Sequence, residues 1–226
     1  MPSLEALRGP VYGIIDPVIR WLSKRRVHPN LLTTVGFLVT ASSGLAFSEH
    51  HVRTAGLLIL LGGFFDILDG RVARVTGLGS KFGAFYDSTL DRISEIVVFL
   101  GMLSLYNDYR LELGDVGMIY LIMLAMAGSL MISYTRARAE ALGLDCRVGL
   151  MPRAERVVLT GVAALAFGEA WDGLVLKVVI AVLAVTTNLT AFQRIAWVHR
   201  HARGIPLDDA PPARQRDTEG DRVVTR

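Results

Sequence analysis

Cysteine occurs once in the 226 residues, at Cys146, so neither an intrachain disulfide nor a cysteine-based zinc site can hold this chain together. Charge is scarce too: 20% of the residues are Asp, Glu, Lys or Arg, against 52% hydrophobic. Soluble domains carry roughly a quarter charged residues, and a mean hydropathy of +0.42 is an excess that a water-facing surface does not need. The low apolar content that marks disorder is missing over most of the chain. No internal repeat is present, and Met1–Pro10 lacks the basic segment and apolar run of a secretory signal, so none is expected. The net charge is only +3, so its placement matters more than its sum, and no nucleic-acid partner is expected. The composition points to a membrane protein.

Charge-free runs cover Val27–Ser48, Val116–Thr135 and Val178–Gln193. Each approaches the ~20 apolar residues that cross a bilayer core as a helix. Three shorter apolar blocks lie at Thr54–Phe65, Ile93–Tyr106 and Val157–Gly168. The expected fold is therefore all-α, with six transmembrane helices near 29–48, 53–75, 82–106, 114–138, 154–170 and 174–198. Alternating sides places all of the 24 Lys and Arg except Arg53, Arg110 and Lys177 on the face that holds both termini. By the positive-inside rule that face is cytoplasmic. The chain then divides into a juxtamembrane segment at 1–26, a six-helix catalytic domain at 27–202 and a charged, disordered tail at 203–226. In the first segment Leu4, Leu7, Val11, Ile14, Ile15, Val18 and Leu22 recur at helical spacing among charges, as in an amphipathic helix lying on a membrane surface. Trp21, Trp171 and Trp197 fall at the expected interfaces. Cys146 reads as a free thiol and His50-His51 as loop residues.

Carboxylates at membrane depth are costly and mark function. Here Asp66 and Asp69 close the second expected span, and Asp87 and Asp91 open the third. Their i,i+3 and i,i+4 spacings put each pair on one helix face. A turn at about 75–81, with Gly77 and Gly79, makes the two helices antiparallel and lets the pairs meet. Four like charges need a counter-charge, and an all-oxygen donor set suits Mg²⁺, Mn²⁺ or Ca²⁺. Four carboxylates suit two ions, which can clamp the attacking and leaving oxygens of a phosphorus displacement. Gly70, Ala73 and Gly83 suit close helix packing, for which small residues are common in membranes, or else leave bare helix surface for a bulky polar ligand. Arg74 can grip a pyrophosphate in a bidentate fork. Ser133, Arg136 and Arg138 end the fourth span, Arg153 and Arg156 open the fifth, and Arg194 closes the sixth on the same side. Converging arginines favour an anionic second substrate. Glu95 extends the Gly83–Asp87–Asp91 spacing by four and reads as a polar neighbour of the site.

The string Asp66-Ile-Leu-Asp69-Gly70-Arg-Val-Ala73-Arg74, eight residues, Gly83, three residues, Asp87, three residues, Asp91 resembles the signature of the CDP-alcohol phosphotransferase family, D-x2-D-G-x2-A-R-x8-G-x3-D-x3-D. All eight fixed positions and every spacing match. The resemblance implies transfer of the phosphatidyl-type group of a CDP-linked lipid to an alcohol, with release of CMP by direct in-line attack. It implies that Asp66, Asp69, Asp87 and Asp91 ligate two divalent cations, Mg²⁺ foremost with Mn²⁺ possible, and that Asp91 is the general base. Thr33, Gly70, Ala73, Arg74 and Gly83 would line the CDP-lipid site. A homodimer in the cell membrane, with both termini cytoplasmic, is the family expectation.

Ser133-Tyr134-Thr135-Arg136-Ala137-Arg138-Ala139-Glu140 and Arg153-Ala154-Glu155-Arg156 are similar to strings in the phosphatidylinositol-phosphate synthase branch, with Arg136 where lysine is common. That likeness implies an inositol phosphate acceptor held by Arg136, Arg156 and Arg194, with Ser133 and Arg138 nearby. Glycerol 3-phosphate, also anionic, is the alternative acceptor. An inactive scaffold or an ion transporter are the non-enzyme alternatives. A scaffold leaves the intact signature unexplained, and a transporter calls for carboxylates nearer the bilayer middle.

Overall fold

A computed structural model describes residues 16–107 and 115–204, and no strand occurs among them. Helix α1 covers 16–24. It is followed by α2 (Pro29–Ser48), α3 (Val52–Thr76), α4 (Lys81–Asn107), α5 (Val116–Ala141), α6 (Arg153–Val162) and α7 (Leu174–Ala202). The amphipathic positions Leu4–Ile15, the loop charges Asp108, Arg110 and Glu112, and the tail from 205 onward lie outside the described residues.

Local chemistry sets the helix ends. His28 caps α2 by accepting the Asn30 amide on Nδ1 at 3.2 Å, with Pro29 in the first turn, where its missing N–H costs nothing. Asp115 caps α5 through Oδ1, which accepts the Gly117 amide at 2.8 Å. Gly77 ends α3 at φ +68, a left-handed conformation that a side chain disfavours. The short turn 77–80 then sends α4 back antiparallel, as the sequence suggests. The fifth element departs from a plain span: α6 runs to Val162 and continues as a π turn, Ala163–Phe167, ended by Gly168 at φ +54. The wider turn brings the Leu165 backbone against Gly56 of α3.

Small residues let the helices close on one another. A Cβ on Gly44 of α2 would stand 2.5 Å from the Val97 carbonyl of α4, and one on Gly101 would run into Gly44 itself. Gly62 of α3 receives Thr40 of α2, and Gly128 of α5 receives Thr187 and Asn188 of α7. Asn188 secures that last crossing by donating to the Leu124 carbonyl at 2.9 Å. The main core gathers Phe47, Ile59, Met102, Tyr106, Ile122 and Ile180. A second cluster joins Ile19 and Leu22 of α1 to Leu32, Leu68 and Val72, and Arg71 pairs with Asp16 at 2.9 Å.

Helices α2, α5 and α7 are long and apolar enough to cross a membrane. Their outward faces carry large apolar side chains, among them Leu38, Leu45, Tyr120, Met123, Val185 and Phe192. Exposed apolar surface on this scale belongs against lipid rather than water. Because Gly44 and Gly101 touch backbone to backbone, replacing either with leucine should separate α2 from α4. The expected outcome is about 3 kcal/mol of destabilisation, read as a lower melting temperature in detergent, whereas Gly79→Leu, where a Cβ would meet only the Ala73 carbonyl at 4.0 Å, should fall well short of that loss.

Candidate active site

Asp66 and Asp69 sit a turn apart on α3, and Asp87 and Asp91 a turn apart on α4. The antiparallel turn brings carboxylate oxygens of Asp66, Asp69 and Asp87 within 4.8 Å of one another. These three could hold a divalent cation, since hard oxygen donors at that spacing match its coordination shell. Asp69 is almost fully buried, and its Oδ2 accepts the Thr33 hydroxyl at 2.7 Å. That bond from α2 fixes the orientation of one donor, as supporting hydrogen bonds do around metal ligands.

Asp91 stands apart from this triad. Its Oδ2 lies 2.6 Å from Nη1 of Arg153, and the same nitrogen donates to Asp66 Oδ2 at 2.7 Å. Arg92 adds a looser contact to Asp91 at 3.6 Å. One guanidinium from α6 therefore ties α3 to α4 and supplies part of the counter-charge that four clustered aspartates require. Arg153 is visible in the sequence only as one of two arginines opening a helix. Which of them meets the aspartates depends on how α6 docks against α3.

Two cavities flank the carboxylates. One lies between α2, α3 and α4 and is lined by Thr33, Asp69, Gly70, Ala73, Gly83 and Asp87, along with Asn30 and Ser80. Four residues expected at a nucleotide site thus share one groove. A Cβ on Gly70 would meet only Arg74 Nη2, at 4.0 Å, while one on Gly83 would press on Asn30 at 3.0 Å. Arg74 therefore reaches across the open surface at Gly70 without lining the groove itself. The other cavity opens beside Asp66 and is bounded by Glu95, Arg153 and Arg156 together with the apolar Val98, Phe99 and Met102.

The remaining expected residues are dispersed. Arg156 is buried and donates from Nη1 to Ser129 at 2.6 Å. Arg194 is buried too, but its Nε and Nη1 donate to the carbonyls of Val148 at 2.9 Å and Ile132 at 2.6 Å. It fastens the segment before α6 to the end of α5. Arg136 pairs with Glu140 at 2.8 Å on the surface, Arg138 is exposed, and Ser133 is half-buried.

The family model of CDP-alcohol phosphatidyltransferases matches residues 26–199. An archaetidylinositol phosphate synthase of Methanothermobacter thermautotrophicus is 33% identical over 195 residues, covering 86% of this chain and 93% of the relative. A phosphatidylinositol phosphate synthase of Streptomyces avermitilis is 32% identical, covering 84% of this chain and 79% of the relative. The crystal structure of Mycobacterium tuberculosis phosphatidylinositol phosphate synthase with CDP-DAG bound superposes with a TM-score of 0.73 at 29% identity, over 88% of this chain and 96% of that one. The same enzyme in complex with manganese and citrate gives 0.72 at 28% identity, over 88% of this chain and 91% of that one.

If the triad binds a divalent cation, Thr33→Val should weaken Mn²⁺ binding to the purified protein by about tenfold or more, and Asp69→Asn by more still. Titration followed by the electron paramagnetic resonance of free Mn²⁺ reads both, and unchanged affinity in Asp69→Asn would exclude this site.

Proposed function

The chain belongs to the CDP-alcohol phosphatidyltransferase family, and on that footing we propose that it transfers the phosphatidyl group of a CDP-diacylglycerol-type lipid to an inositol phosphate, releasing CMP. The observation that carries this reading is the convergence of Asp66, Asp69 and Asp87 beside a groove walled by Gly70, Ala73 and Gly83. The inositol phosphate follows from relatives named as archaetidylinositol and phosphatidylinositol phosphate synthases. Two divalent cations, Mg²⁺ foremost, bound at Asp66, Asp69, Asp87 and Asp91 would neutralise the pyrophosphate and the departing CMP.

In this reading the chain's own residues position and deprotonate. Thr33 and the bare surfaces of Gly70, Ala73 and Gly83 admit the cytidine nucleotide, and Arg74 meets its phosphates. Asp91 takes the proton of the acceptor hydroxyl. The acceptor oxygen then attacks the lipid-linked phosphorus in line, its new P–O bond forming as the bond to the CMP oxygen breaks. Arg153 engages Oδ2 of Asp91, which leaves Oδ1 for the hydroxyl. Such a displacement depends on placement and charge neutralisation more than on covalent chemistry. Arg156 faces the acceptor phosphate from the second cavity, with Ser133, Arg136 and Arg138 shaping the approach from solution and Arg194 supporting the segment before α6 from behind.

The architecture that goes with this reading has six spans with both termini cytoplasmic, a membrane-surface segment at 1–26, the catalytic domain at 27–202 and a tail at 203–226, paired as a homodimer in the cell membrane. The lengths of α3 and α4 support it, and so does the distribution of Lys and Arg. The fifth span is the short one: α6 with its π turn ends at Phe167, a mismatch that a bilayer absorbs by local thinning.

Purified protein given CDP-diacylglycerol, Mg²⁺ or Mn²⁺ and inositol 1-phosphate should release CMP, and Asp91→Asn should lower the rate at least about 100-fold. Turnover with glycerol 3-phosphate alone would overturn the acceptor, and no CMP with any alcohol would overturn the enzyme. In a Cys146→Ala background, a cysteine at Asp172 should react with an impermeant maleimide from outside intact cells and one at Gly79 only after permeabilisation. The reverse pattern would invert the topology.

A further inference from the structure

Glu95 lies one helical turn beyond Asp91 on α4, past the carboxylates of the family signature. It borders the second cavity together with Arg153 and Arg156. Its Oε1 stands 3.6 Å from Nη2 of Arg156, whose side chain is only 7% exposed. On the other side Nη1 of Arg156 donates to Ser129 Oγ of α5 at 2.6 Å. Nε of the same guanidinium is buried, and no partner meets it among the described residues.

A buried guanidinium without a counter-charge is strongly disfavoured. Arg156 therefore needs Glu95 before any anionic ligand arrives. A contact of 3.6 Å is an ion pair without a tight hydrogen bond, so it neutralises the charge while consuming little of the five-donor fork. Ser129 fixes one edge of that fork and Glu95 sets the direction of another. The unpartnered Nε leaves the fork incompletely satisfied among the described residues, and Arg156 borders the cavity through which an oxygen anion would arrive. A bidentate Glu–Arg pair would have used up those donors. Arg194 illustrates the contrast, with two nitrogens committed to backbone carbonyls.

We propose that Glu95 is a positioning residue for the acceptor: it holds the Arg156 guanidinium, neutralised but with donors to spare, at the cavity beside the aspartates. This rests on the reading that Arg156 binds the acceptor phosphate. Glu95 does not line the CDP groove and is not a member of the metal triad, so its largest effect falls on the acceptor. A residue serving only to join α4 to α6 would instead alter stability and both substrates together.

The test is steady-state kinetics on the full chain in nanodiscs, varying inositol 1-phosphate and CDP-diacylglycerol separately. Glu95→Gln should raise KM for inositol 1-phosphate by at least about tenfold, with KM for CDP-diacylglycerol and Mn²⁺ affinity within about twofold of the parent. Glu95→Asp, which keeps the charge, should recover most of the loss. Combining Glu95→Gln with Arg156→Lys should be no worse than Arg156→Lys alone. Thermal stabilisation by inositol 1-phosphate, measured without turnover, should shrink in Glu95→Gln and return in Glu95→Asp; if Glu95→Gln does not fold, Ser129→Ala, which frees the other edge of the Arg156 fork, should raise the acceptor KM alone. An acceptor KM that rises in Arg156→Lys but not in the Glu95 variants overturns the proposal and spares the acceptor assignment. Equal changes in both substrate KM values overturn it as well. An acceptor KM unmoved by Arg156→Lys removes the acceptor assignment, and the proposal with it.

Discussion

Four aspartates set into a helix bundle are tolerable only with positive charge among them, and the rest of the structure is arranged around that need. Arg153 meets part of it within the chain by placing one nitrogen between Asp66 and Asp91. The contact joins α6 to α3 and α4, so the charge balance of the site and the packing of three helices are one interaction. A carboxylate cluster that needs cations is also a site ready to take them, provided that its donors are held in place. The Thr33 bond to Asp69 does this from α2.

The same economy separates the two cavities. Small residues on α3 and α4 keep the nucleotide-side groove open, while charged and apolar residues together shape the cavity beside Asp66. Both adjoin the aspartates, as two substrates meeting at one phosphorus require. Close helix contacts at Gly44, Gly101 and Gly56 keep this geometry stiff, because there the backbones are already in contact. A stiff bundle suits a reaction that gains most from fixed placement.

Much of the fold is legible in the sequence. Charge-free runs and helix periodicity locate α2, α5 and α7, and the aspartate spacing with Gly77 foretells the antiparallel meeting of α3 and α4. Gly70, Ala73 and Gly83 of the signature share one groove with Thr33 of α2. The arginines were less legible. Basic residues at helix ends look alike in a sequence, whether they pair with solvent-facing Glu140, with backbone carbonyls or with a buried aspartate. The π turn after Val162 was also hidden, since Ala163–Phe167 has the composition of ordinary helix.

By itself, then, the sequence determined what short-range spacing and composition can determine: helices, their apolar character, two pairs of aspartates on shared faces and the family that uses them. Tertiary structure decided which aspartates form the triad, that Asp91 stands apart with Arg153, and that Arg156 lies buried beside Glu95 while Arg194 is taken up by carbonyls. The reason is one of distance. Neighbours on a helix follow from sequence spacing, whereas a contact such as Arg153 with Asp66 joins residues far apart in the chain and depends on how each helix is rotated when it docks.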